Sequence, residues 1–273
     1  MSDQTSQVKA FRDLHKKGVP FILPNPWDAG SARILEGLGA KALATTSSGF
    51  ALTKGRHDYG VSREDALAHC REVASAVSIP VTADLENGYG LKPEDAGETI
   101  SLAAQTGLAG GSIEDSTGDK ATPIIEKALA VERMAAAAEA VNSVNNNFVL
   151  TARAEAFLYG DADLDEVIGR LKAFEEAGAE ALFAPGLPDM DAVRAVCDAV
   201  SKRVNVLVIG ELRNHALEEF AEAGVASLSI GGALAYQAYG SLAGLPSMLE
   251  TGRFDMLNAN AAQAKTVSQY LQG

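Results

Sequence analysis

Gly178-Ala179-Glu180-Ala181-Leu182-Phe183-Ala184 joins the end of one amphipathic run to the start of a short apolar one. A glycine just past a helix takes the left-handed backbone that ends it, and the apolar residues after it open a strand. The joint recurs as Gly39-Ala40-Lys41-Ala42 and Gly224-Val225-Ala226-Ser227, and more loosely as Gly107-Leu108-Ala109-Gly110. Working outward from these joints, short apolar runs cover residues 21–23, 42–46, 79–83, 110–113, 148–152, 181–184, 204–209 and 226–230. Helical runs follow at 31–38, 63–77, 94–106, 126–144, 164–177, 191–200, 215–223 and 234–249. Short apolar strands with helical spacers predict a parallel sheet covered by helices.

Eight such units in 273 residues predict an α/β fold, a (β/α)₈ barrel forming one domain over residues 1–273. A doubly wound open sheet is the rival, but it carries a Gly-rich phosphate turn after its first strand. Here that turn is Pro24-Asn25-Pro26-Trp27-Asp28. Residues 253–272 read as an extra C-terminal helix beyond the eight units.

Composition narrows the function. The formal net charge is −13, which disfavours nucleic acid and anionic lipid as partners. It leaves a small anionic substrate open, because a site sets its own local field. Cys70 and Cys197 lie far apart, with no metal spacing and no redox motif, and read as packing residues. No apolar run is long enough to span a bilayer. The polar start Met1-Ser2-Asp3-Gln4 lacks a signal peptide's order, so a cytoplasmic setting is expected.

Barrel chemistry sits at the C-terminal ends of the strands. Asp84 and Glu86, two apart on the third strand, are expected on one face. Glu114 ends the fourth. Three converging carboxylates repel unless a cation sits among them, and oxygen-only donors suit Mg²⁺ or Mn²⁺. The rival reading is a salt-bridge network with Arg153. That guanidinium also suits a bidentate grip on a substrate carboxylate or phosphonate. Thr46, Ser47, Ser48 and Gly49 read as a hydroxyl-rich turn able to bind an anion, or as a plain loop. Residues 50–61 read as a charged, Gly-punctuated loop, either a lid or surface. Gly231-Gly232 suits a phosphate cradle or close packing equally well. The four histidines show no ligand spacing, and no Ser-His-Asp or Cys-His arrangement is evident.

Asn25-Pro26-Trp27-Asp28, Thr46-Ser47-Ser48-Gly49, Gly55-Arg56-His57-Asp58, Asp84-Leu85-Glu86-Asn87-Gly88-Tyr89-Gly90, Ile113-Glu114-Asp115 and Ala152-Arg153-Ala154-Glu155-Ala156-Phe157 occur in this order. The ordered set resembles the isocitrate lyase / phosphoenolpyruvate mutase superfamily from about Pro20 to about Ser247. The resemblance implies a (β/α)₈ barrel, often with the last helix exchanged between subunits, in homodimers or homotetramers. It implies Mg²⁺ and a 2-oxo or 2-hydroxy carboxylate cleaved at a C–C or P–C bond beside an enolate. By it, Asp84, Glu86 and Glu114 match the metal cluster. Trp27, Thr46 and Ser47 match the pocket for the substrate carboxylate and oxyanion. Asp58 matches the carboxylate of the mobile loop, and Arg153 the arginine after strand five.

The departures bear on the reaction. The resemblance implies a Lys-Lys/Arg-Cys-Gly-His loop after strand four in isocitrate and methylisocitrate lyases, with the cysteine as acid. Here residues 114–123 hold neither Cys nor His. Phosphonate mutases carry a Lys and an Asn in that loop and a His after strand six. Here Lys120 has no Asn beside it, and strand six offers Ala184. Glu86 stands where many members have Asp. A minimal site remains, able to stabilise an enolate in a retro-aldol cleavage or decarboxylation, with Asp58 or Glu155 as base. The expected function is a Mg²⁺-dependent carbon–carbon lyase acting on a small dicarboxylate. A phosphonate mutase or hydrolase and a non-catalytic 2-oxo-acid binding protein are the alternatives.

Overall fold

The computed structural model describes residues 4–144, 147–160, 162–258 and 261–271. Eight parallel strands form one sheet: β1 Phe21–Leu23, β2 Leu43–Ala44, β3 Val81–Asp84, β4 Gly110–Glu114, β5 Val149–Arg153, β6 Ala181–Phe183, β7 Arg203–Leu207 and β8 Ser227–Ser229. Their order is β1-β8-β7-β6-β5-β4-β3-β2. The remaining gap between β1 and β2 is bridged where Ala44 N–H donates to the Pro24 carbonyl at 3.1 Å. The result is the (β/α)₈ barrel read from the sequence.

The predicted joints hold. Gly39, Gly107, Gly178 and Gly224 have φ of 101°, 88°, 111° and 85°, each turning a helix end into the next strand. Ala83, Ile113, Ala152, Leu182, Val204 and Val206 point outward and are buried under the helical ring. Those helices are α2 Ala29–Gly37, α4 Arg63–Ala76, α5 Pro93–Ala103, α6 Lys127–Ser143, α7 Leu164–Glu176, α8 Met190–Ala199 and α9 Leu217–Glu222. Cys70 and Cys197 are buried and free. Burial pushes their thiols up, to about 12 and about 11.

Four features depart from the sequence reading. Helix α1, Gln4–Leu14, was not foreseen. It lays Val8 and Phe11 on the barrel floor against Leu23, Ala42, Ala44, Ala109 and Val149, and Gln4 donates to the Ala104 and Leu108 carbonyls. Residues Ser47–Thr53, read as turn and loop, form helix α3, because the Thr46 hydroxyl caps it by accepting from Gly49 N–H. The loop therefore begins at Lys54 rather than Phe50. The long last helix is broken into α10 Ala233–Gly240, a 3₁₀ turn Ser241–Gly244 and α11 Leu245–Thr251, with Gly240, Gly244 and Pro246 at the breaks. Within the terminal run, Asp255–Asn258 form a 3₁₀ turn rather than α-helix and Ala261–Ser268 form α12; residues 259, 260 and 272 lie outside the described residues.

The barrel interior is unusual. Bulky branched side chains commonly fill it. Here Thr82, Ser112, Thr151, Ala181, Asn205 and Ser227 face inward, and Asn205 bonds Ser227 and Ser229, each at 2.9 Å. These small groups leave a cavity of about 200 Å³ reaching from the mouth to Phe11 and His15 on the floor.

Candidate active site

Strand register assembles the site. Ser112 pairs with Asp84, Glu114 with Arg153, and Arg153 with Phe183. Inward residues on adjacent strands thus meet at one level of the mouth. Arg153 takes three carboxylates at once. Its Nη1 lies 2.8 Å from Asp84 Oδ1, its Nη2 3.1 Å from Glu114 Oε2 and its Nε 2.8 Å from Glu155 Oε1. Its guanidinium lies over the Phe183 ring, 5.1 Å from the centroid.

Asp84 is fixed from both sides. Its Oδ2 accepts from the Ser47 hydroxyl at 3.0 Å and from Ser47 N–H at 3.3 Å, and its own N–H donates to Thr45 Oγ1. Behind Glu155, the buried Asp115 accepts from Glu155 N–H at 2.8 Å and pairs with Arg170 at 3.3 Å. Arg133 ties down the loop after β3 by donating to the carbonyls of Asn87, Gly90 and Lys92.

Glu86 reaches the site by a different route from the one its spacing predicted. Strand β3 ends at Asp84, and Glu86 has a left-handed φ of 49°, so strand alternation no longer governs it. Its N–H donates to Asp84 Oδ1 at 3.2 Å. It is buried, and burial followed by the nearby Asp84 and Asp58 charges pushes its carboxyl up to about 8. Burial also raises Glu155 to about 7 against the pull of Arg153, and raises Glu114 well above the usual carboxylate range.

The turn after α3 brings Asp58 in from above. Much of the residue is exposed, yet it lines the cavity with Thr46, Ser47, Ser48, Asp84 and Arg153. Partial desolvation and then the Asp84 charge raise its carboxyl to about 6. Trp27 and Gly49 sit just outside this lining, against each other: a Cβ on Gly49 would lie 3.2 Å from Trp27 Cβ and 2.6 Å from Thr46 Cγ2. At Gly232, which lines the cavity, an added Cβ would lie 2.7 Å from Ser48 Oγ and 2.9 Å from Tyr236 Cε2.

Asn25, Tyr59, Asp115 and Phe183 also belong to this region; Asn25 and Asp115 stand in the quoted motifs, but the sequence assigns none of the four a role in the site. Asn25 spans the β1–β2 seam, donating to the Thr45 carbonyl and accepting from Ile230 N–H. Tyr59 donates its hydroxyl to Glu114 Oε1. Asn25, Tyr59 and Asp115 lie within two positions of residues that were singled out; Phe183 was legible only as a strand apolar.

Arg153 thus pairs three carboxylates, Asp84, Glu114 and Glu155, while Asp58 lines the same cavity and Glu86 adjoins Asp84. Among the described residues, no three acid, His or Cys side chains stand in a ready-made metal cluster, since Arg153 takes Asp84, Glu114 and Glu155 onto separate nitrogens. The donor chemistry nonetheless fits a hard divalent cation: the groups are all oxygens, they are largely buried, and their charge exceeds what one arginine balances.

A carboxylate-rich mouth with one arginine, at the C-terminal ends of the strands of a (β/α)₈ barrel, has the placement of a barrel enzyme's active site. The family model described as phosphoenolpyruvate phosphomutase matches residues 11–247, and the chain belongs to that family, an enzyme of the isocitrate lyase / phosphoenolpyruvate mutase superfamily. It is 29% identical over 231 residues to the 2-methylisocitrate lyase of Escherichia coli K12, covering 81% of this chain and 77% of that one. Two solved structures from Burkholderia cenocepacia J2315 are similar over nearly their whole lengths. One, described provisionally as a lyase/mutase, is 45% identical, covers 98% of this chain and 96% of its own, and has a TM-score of 0.92. The other, described provisionally as a phosphonomutase, is 35% identical, covers 92% and 100%, and has a TM-score of 0.83.

Proposed function

We propose that this enzyme is a Mg²⁺-dependent carbon–carbon lyase of retro-aldol or decarboxylase type, acting on a small 2-oxo or 2-hydroxy dicarboxylate. The observation that carries this reading is Arg153 facing the cavity beside Asp84, with Asp58 lining the same cavity from the turn above. A dianionic substrate entering among five acids needs added positive charge. Asp84, Glu86 and Glu114 would hold the cation, in part through water. Bound there, Mg²⁺ supplies Lewis-acid stabilisation of a developing enolate oxygen. Arg153 orients the substrate carboxylate, and Ser47 with Thr46 forms the polar wall beside it. Asp58 is the group that accepts a hydroxyl proton, because it reaches the cavity, whereas Glu155 is held behind Arg153 Nε.

The loop after β4 carries no cysteine in residues 115–124, so turnover of methylisocitrate is not expected despite the E. coli relative. The test is a panel of oxaloacetate, malate derivatives, alkylmalates and phosphonopyruvate with Mg²⁺, followed by pyruvate release. Turnover that persists undiminished in chelator would sink the reading. The resemblance to the provisionally described phosphonomutase favours a second reading, P–C chemistry. Against it, Phe183 faces the cavity on β6 and Lys120 is exposed, so donors for a transferred phosphoryl group are few. Phosphorus NMR on phosphonopyruvate decides between the two.

The same reading includes a homodimer or homotetramer. Ile22 on the outer face of β1 is 56% exposed, and Leu242, Leu249 and Phe254 are exposed along the C-terminal arm. These apolar surfaces suit each other across two copies. Light scattering should give two or four chain masses; a monomer at micromolar concentration would overturn this part.

A further inference from the structure

Two adjacent residues of the lid turn close on two different walls of the mouth. The turn is self-contained: Gly60 N–H donates to the His57 carbonyl and Arg56 Nη1 to the Gly60 carbonyl, both at 3.0 Å. It hangs between Gly55, with φ of 64° and open space around it, and Val61, which is buried against Phe50, Ala51 and Ala66. Asp58 enters the cavity on the Ser47–Asp84 side. Tyr59 turns the other way, with a left-handed φ of 60° that non-glycine residues rarely adopt, and bonds Glu114 Oε1.

The loop after β4 is shaped to receive it. Gly118 packs on the Tyr59 ring so closely that a Cβ there would lie 3.0 Å from Tyr59 Cδ1. Glu114 is buried, and its second oxygen, Oε2, is held by Arg153. Tyr59 therefore connects the turn, through one carboxylate, to the guanidinium that faces the cavity.

We propose that Tyr59 is a positioning residue, a latch that holds the Asp58 turn shut on the site by its bond to Glu114. This rests on the lyase reading for the use made of Asp58, but not for the latch itself. A reaction through an enolate gains from a closed mouth, because closure keeps water away and fixes the proton acceptor. In Tyr59→Phe the ring keeps its seat on Gly118 and only the hydrogen bond to the Glu114 carboxyl is lost.

Limited trypsin digestion reads the latch without turnover, since Lys54 and Arg56 are exposed in the loop. First cuts after Lys54 and Arg56 should speed up about tenfold in Tyr59→Phe, as loss of one such bond implies, while the melting temperature and cutting elsewhere stay as in the parent. Tyr159→Phe, which loses a bond to Ser116 at 2.8 Å but lies off the lid, should leave those cuts unchanged. With an active substrate, Tyr59→Phe should lower kcat, and should lower it no further in an Asp58→Asn background. Unchanged cutting after Lys54 and Arg56 in Tyr59→Phe overturns the latch. Faster cutting together with normal turnover by Asp58→Asn keeps the latch and overturns the role given to Asp58.

Discussion

Arg153 Nη1 stands 2.8 Å from Asp84 Oδ1, joining strands that are not neighbours across the mouth of the barrel. Arg153 is 11% exposed and also holds Glu114 and Glu155, so its loss leaves buried acids unpaired. Arg153→Ala should abolish turnover and lower stability by about 3–5 kcal/mol, the cost of breaking a buried pair by removing one partner. Arg153→Lys keeps the charge without the fork and should restore stability more than activity. Denaturant unfolding beside steady-state kinetics checks both.

Asp58→Asn should cut kcat by about 10²–10⁴, the usual contribution of a general base, with little change in stability. The Asp58 carboxyl is raised to about 6 by burial and then by Asp84. A base must be ionised, so kcat/KM should rise as pH increases through about 6, and the acid limb should vanish in the variant. A parent profile flat from pH 5 to 7 would remove Asp58 from the proton step.

Glu86, raised to about 8, gives the metal a signature in stability. The folded state binds more protons than the unfolded chain between about 4.3 and 8, so this group makes stability fall as pH rises across that window. A divalent cation beside Glu86 relieves the penalty. Mg²⁺ should therefore raise the melting temperature more at pH 8 than at pH 6, and Glu86→Gln should shrink the difference. Saturation at a hundredfold over Kd corresponds to about 2.7 kcal/mol. A shift independent of pH in the parent would argue against Glu86 in the cation site.

His15 and His69 act with the opposite sign. Burial lowers each to about 4. Unfolded histidine titrates near 6.5, so the unfolded chain binds more protons between about 6.5 and 4, and stability is lost as pH falls through that range. Each should contribute up to about 3 kcal/mol of that loss. His69 stacks on Phe50 at 3.9 Å, and His69→Phe should flatten the acid side of a plot of urea midpoint against pH. An unchanged slope in both His69→Phe and His15→Gln would locate the acid sensitivity elsewhere.

Repetition made the barrel legible. Gly39, Gly178 and Gly224 mark the same helix-to-strand joint, and a joint that recurs fixes strand number, direction and the end where polar residues gather. The inward polar residues Asp84, Glu114 and Arg153 followed, because each closes an apolar run. Helix α1 was not legible, since its apolar positions, Val8 and Phe11, are too few to form a pattern until the barrel floor gives them a partner.

By itself, then, the sequence determined which residues end the strands, and so which chemistry is present: acids, one guanidinium and a group of hydroxyls. Tertiary structure alone decided how they share it. Register set Glu114 beside Arg153, the left-handed turn at Glu86 moved that carboxylate out of strand alternation, and the lid fold carried Tyr59 onto Glu114. Local spacing governs where a side chain leaves the backbone, whereas the pairing of buried charges depends on distances across strands far apart in the chain.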